Sequence, residues 1–216
     1  MPPVERFICR FAAEPPQEGL PHGAWAQTLQ AEFLAACLRI DSEGEELGEA
    51  RDLRYFPDRT WNGRTYVAIT AATTTELELY GFVSFIAPGA EGGEPHDFES
   101  HADFTSETAA RNPEWKIDLC EQVVGLWRGE GGRTADMTLV WGAPLIPRAR
   151  VATAELAGLA VDQCAIAEER FTLLAPDAYR GDYLDVRLWD ADGRELASES
   201  LYVEDDEDED EESGAG

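Results

Sequence analysis

The chain has 216 residues and a formal net charge of −27: 44 acidic side chains stand against 17 basic ones, only one of which is a lysine, Lys116. That balance excludes direct binding to a phosphate backbone or an anionic lipid surface, because both draw their affinity from Lys and Arg. A content of 44% hydrophobic and 10% aromatic residues equally excludes a chain that cannot build a core.

Residues 4–11 read as a strand, closed by Glu14-Pro15-Pro16. The clearest helix follows. Trp25, Leu29, Phe33, Ala36 and Ile40 recur at steps of four, four, three and four, which draws one apolar stripe at a 3.6-residue period. A stop is expected at Asp41-Ser42-Glu43-Gly44.

The pattern then turns to β. Residues 53–60 and 65–73 flank Trp61-Asn62-Gly63, and Asn-Gly is a strong hairpin signal because both residues tolerate positive φ. In the next strand Leu77, Leu79, Val83 and Phe85 share one face, and Glu76, Glu78, Tyr80, Phe82 and Ile86 the other. The apolar half of that second face, Tyr80, Phe82 and Ile86, is where the helix is expected to pack. Residues 1–88 therefore read as β-α-β-β-β, a helix on an antiparallel sheet.

Residues 89–132 form a connecting region, opened by the Gly- and Pro-rich loop at 88–95. Within it, residues 114–127 fit a helix through Trp115, Leu119, Val123 and Trp127, and fit a strand equally through Trp115, Ile117 and Leu119. Gly125-Leu126-Trp127 resembles the Gly-x-Trp that opens lipocalin-type barrels. The resemblance covers those positions and their flanks, and implies at most a small ligand-binding barrel.

From residue 133 to 203 short alternating segments are separated by turns, with strands expected at 151–156, 161–166, 170–174, 183–189 and 195–203 after one ending at Pro144. That spacing marks a small antiparallel sandwich. The stretch from Arg180 to Val186, with Tyr183 opening a strand, is similar to the tyrosine corner of immunoglobulin-like sandwiches and is taken as architecture alone. Asp190-x-Asp192-Gly193-x-Glu195 shares spacing with part of a calcium loop, and lacks its remaining ligands; a hairpin turn is expected there. Residues 204–216 open with nine consecutive carboxylates and hold no large apolar side chain, which predicts a disordered acidic tail. The expected class is α+β, predominantly antiparallel β, with an N-terminal helix-on-sheet unit and a C-terminal β-sandwich.

The densest set of possible ligands is the stretch from His96 to Phe104. If extended, it puts Asp97, Glu99, His101 and Asp103 on one face and Phe98, Ala102 and Phe104 on the other. Three carboxylates and an imidazole suit a divalent cation such as Mg²⁺, Mn²⁺ or Ca²⁺, and a solvated acidic edge strand has the same pattern. No nucleophile elbow, phosphate-binding glycine loop or Cys-x-x-Cys pair occurs. No secretory leader is visible at the start of the chain, and dispersed cysteines suit a reducing compartment, so a cytoplasmic location is expected. The leading expectation is a non-catalytic interaction protein with a basic protein partner and no cofactor. The alternatives are a metal-dependent enzyme built on Asp97, Glu99, His101 and Asp103, and an acidic mimic of nucleic acid that occupies a basic groove.

Overall fold

A computed structural model describes residues 23–42, 44–88, 94–129, 132–179 and 181–202. The strand expected at 4–11 and the acidic tail lie outside the described residues. Among them the order is one helix, α1 (Gly23–Cys37), then twelve strands: β1 (Ala50–Tyr55), β2 (Arg59–Trp61), β3 (Arg64–Thr73), β4 (Glu78–Ile86), β5 (His96–Thr105), β6 (Ile117–Arg128), β7 (Thr134–Pro144), β8 (Val151–Leu156), β9 (Leu159–Ala165), β10 (Phe171–Asp177), β11 (Leu184–Trp189) and β12 (Glu195–Ser200). All the strand pairings are antiparallel. They build three sheets: β1-β3-β4-β5 with β2 added to β3, then β10-β7-β6, then β12-β11-β8-β9. The protein is α+β and mostly β.

The helix follows its sequence pattern. Leu29, Phe33 and Ala36 are buried and Gln30 is exposed. Its last turn tightens through Arg39 N–H to Ala36 O at 2.8 Å. The Arg39 guanidinium then donates to the Ala35 carbonyl at 3.0 Å and to the Ser100 carbonyl and hydroxyl on β5. A cation on the last carbonyls suits the negative end of the helix dipole. Asn62 and Gly63 have φ of 52° and 77°, the double positive φ of a type I′ turn, and join β2 to β3.

One expectation is overturned. The helix packs on Leu79, Val83 and Phe85, with Val67, Ile69 and Ala71 of β3. It does not pack on Tyr80 and Phe82. Those two, with Phe56, Tyr66 and Ala68, pack instead against Met137, Leu139 and Trp141 of β7 and Leu174 of β10. The reason is that β7 and β10 need apolar cover on both faces, and the first sheet supplies it on one of them. On the other face Val140, Phe171, Leu173 and Ala175 meet Ala152, Ala154, Leu184, Val186 and Leu188 in the sandwich core. The layers run helix, sheet, sheet, sheet.

Residues 117–128 are strand and not helix. Pairing along β7 from Ile117–Pro144 to Arg128–Thr134 decides it, with a bulge between Val123 and Gly125. A Cβ on Gly125 would sit 2.6 Å from the Trp61 ring, so the glycine lets β2 and β6 approach. The twelve strands lie in three sheets, and the barrel that Gly125-Leu126-Trp127 suggested does not form. At 190–195 the structure has the expected turn: Asp190 Oδ1 accepts from the Asp192 and Arg194 amides, each at 2.9 Å.

The first sheet and the sandwich are also joined by buried charge. Arg59 on β2 donates through Nη2 to both carboxylate oxygens of Asp162 on β9, at 2.7 and 2.6 Å, and Asp162 accepts the Leu174 amide at 2.7 Å. The Arg59 side chain is wholly buried. Arg170 adds a bond to the Tyr55 carbonyl at 2.7 Å.

Candidate functional site

Between the first sheet and β6 a cleft of about 200 Å³ opens, lined by Glu78 and Tyr80 of β4, Trp115, and Asp118, Cys120 and Glu121 of β6. Glu107 completes its acidic rim. Each carboxyl reaches this place for a local reason. Glu78 starts β4 after a tight turn in which Glu76 takes φ of 64°, and it pairs with Thr105 on β5. Asp118 and Glu121 lie on β6, the edge strand of its sheet, so no further strand covers them. Trp115 is set by a turn in which its amide donates to the Asn112 carbonyl at 3.1 Å.

Burial perturbs the whole group, and neighbouring carboxyls add to it at several positions. Burial, and then the charge of Asp118, push the Glu78 carboxyl up to about 7, with Arg54 offsetting part of the effect. Asp118 is raised by burial, again offset by Arg54. Glu121 is raised by burial and by Asp177. Burial and the same three carboxyls hold the Cys120 thiol well above its ordinary value, so it is protonated and a poor nucleophile. Tyr80 is raised by burial, followed by Asp103, Cys120 and Glu121. Perturbed titrating groups gathered in a cleft make it the candidate functional site. Carboxyls beside two aromatic rings suit an organic cation, held by charge and by the ring faces.

The residues picked out from the sequence stand elsewhere. The stretch from His96 is strand β5, and Phe98, Ala102 and Phe104 pack toward the helix as the alternation predicts. Glu99, His101 and Asp103 face the other side. Asp97 has φ of 56° at a bulge, which turns its carboxylate and carbonyl onto Arg64. The same guanidinium holds Glu99 at 3.2 Å. The His101 ring lies 6.0 Å from that of Phe82, and Asp103 accepts the Phe104 amide at 2.8 Å. Among the described residues no group of three or more His, Cys, Asp or Glu side chains is placed to hold a metal ion.

Sequence reasoning missed Glu78, Asp118 and Glu121 because β4 and β6 meet only through the fold. A signal was present: Glu78 shares a face with Tyr80, Phe82 and Ile86. Comparison with family models, curated proteins and solved structures returned no match.

Proposed function

We propose that this protein is a non-catalytic binding protein for a basic protein partner, and that the cleft of Glu78, Asp118 and Glu121 receives a cationic side chain of that partner. The observation that carries the reading is the charge deficit of the cleft. Its carboxyls are raised by burial; the charge of Asp118 adds to this at Glu78 and that of Asp177 at Glu121, while Arg54 offsets part of it at Glu78 and Asp118. An entering ammonium or guanidinium replaces mutual repulsion with attraction, and Tyr80 and Trp115 offer ring faces to it. Glu78 then gives up its proton, so binding and proton release are coupled. The surrounding negative surface speeds encounter with a basic partner.

A cytoplasmic setting goes with this reading. Cys37, Cys120 and Cys164 are free thiols. Among the described residues no helix is long and apolar enough to cross a membrane.

The test is calorimetric titration with a synthetic peptide of alternating Arg and Ser. Glu78→Gln combined with Asp118→Asn is expected to weaken binding by roughly tenfold or more, the scale of one charged hydrogen-bonded contact. Unchanged affinity in that variant removes the cleft from the account.

A further inference from the structure

Two tyrosines stand outside the sandwich because of their neighbours. Leu184 opens β11 fully buried, and Leu201, just past β12, packs on the same core. The Leu201 amide donates to the Leu184 carbonyl at 2.9 Å, and the Leu184 amide donates to Asp177 Oδ1 at 2.8 Å. Side chains alternate along extended chain. With both leucines pinned inward, Tyr183 and Tyr202 are turned outward together. Their ring centroids lie 4.7 Å apart, and the residues are 41% and 49% exposed.

The pair lines a groove of about 540 Å³ with Gly158, Asp182, Asp185 and Ser200. Leu159, about half exposed, begins β9 beside it. A firm base supports the groove: Ala157 and Gly158, both at positive φ, form the turn between β8 and β9. Exposed paired aromatics of this kind mark contact surfaces more than isolated apolar residues do. The charge around them is negative. Asp182 has no ion pair among the described residues, and Asp185 shares Arg187 with Glu155 and Glu195.

We propose that this tyrosine groove is a second docking surface, for an extended arginine-rich segment of a protein partner. It rests on the preference for a basic partner proposed above, and adds a place and a residue preference that the cleft does not require. Guanidinium groups lie flat on the Tyr183 and Tyr202 rings, and Asp182 and Asp185 supply the counter-charge. Arginine is selected over lysine because a planar, weakly hydrated guanidinium stacks on an aromatic face. Phosphate-bearing ligands are repelled by the same carboxylates.

The experiment uses the full chain and two synthetic peptides, alternating Arg and Ser, and alternating Lys and Ser, titrated at about 0.01 M and about 0.15 M salt. Tyr183→Ala with Tyr202→Ala is expected to weaken the Arg peptide roughly tenfold, the sum of two exposed ring–cation contacts. Tyr183→Phe with Tyr202→Phe is expected to keep wild-type affinity, and the Lys peptide to bind more weakly than the Arg peptide. Thermal melts show whether the alanine pair stays folded; the single Tyr202→Ala variant, weakened several-fold, reads the same contact if the pair does not. Wild-type affinity in the alanine pair, together with loss in the variant carrying Glu78→Gln and Asp118→Asn, overturns the groove and leaves the basic-partner reading standing. Absence of peptide binding to the wild type overturns both. Self-association that the alanine pair removes, with no peptide bound, assigns the groove to a second copy of the chain and overturns the proposal.

Discussion

Asp162→Ala is the sharpest probe of how the first sheet and the sandwich are held together. The Arg59 side chain is wholly buried and that of Asp162 nearly so. Removing the carboxylate strands a guanidinium whose Nε and Nη1 already lack a hydrogen-bond partner, and leaves the Leu174 amide without its acceptor. Breaking one side of a buried ion pair costs about 3–5 kcal/mol, because the remaining charge is uncompensated in a medium that solvates it poorly. The lost Leu174 bond leaves a buried donor unsatisfied, for about 1–3 kcal/mol more. Relaxation of the neighbourhood offsets part of that, so a loss near 4–5 kcal/mol is expected from urea unfolding followed by far-ultraviolet circular dichroism. The double variant Arg59→Leu with Asp162→Leu removes both charges and is expected to recover most of the loss, since apolar replacement of a buried pair is often neutral or stabilising. A cost under about 1 kcal/mol for Asp162→Ala refutes the reasoning, since Arg59 would then reach water or another partner.

Stability should also fall as pH rises through the range where Glu78 titrates. Its folded carboxyl sits at about 7 against an ordinary 4.5, so the stabilisation is complete below pH 4.5 and is lost as pH rises through 7. The effect is about 2 kcal/mol after discounting for partial exposure, and Glu78→Gln should flatten it in urea melts taken across that range. In the helix, Phe33→Ala should cost about 3–5 kcal/mol and Gln30→Ala well under about 1 kcal/mol, because one side chain is buried and the other exposed. Equal losses in thermal or chemical melts would reject this helix register.

How far the fold could be read in advance follows from how much of each signal is local. The stripe through Leu29, Phe33 and Ala36, the Asn62-Gly63 turn and the regular strands from β8 to β12 each depend on a few adjacent residues. The face of β4 that meets the helix does not. Leu79, Val83 and Phe85 offer one apolar surface and Tyr80 and Phe82 another, and only the presence of a second sheet needing cover allots them. The same holds for residues 117–128, whose apolar spacing satisfies both periods until β7 supplies a pairing edge. At the site, alternation along β5 was visible, and Arg64 gathering Asp97 and Glu99 was not, since β3 and β5 are separate in sequence and not even neighbours in the sheet. Glu78 and Asp118 are likewise brought together by packing alone. Acidity spread over the whole chain hid them further, because no local excess of carboxylates marks either position.

The side-chain carboxyl of Glu78 reports directly on the cleft. Its titration can be followed by carbon NMR, first in the free protein and then with the alternating Arg and Ser peptide at saturation. The free carboxyl is expected to titrate at about 7, and a bound cation to pull it back toward the ordinary carboxylate range with release of a proton. A free Glu78 that titrates as an ordinary carboxyl, or one that the peptide leaves unmoved at about 7, contradicts a cation-receiving cleft.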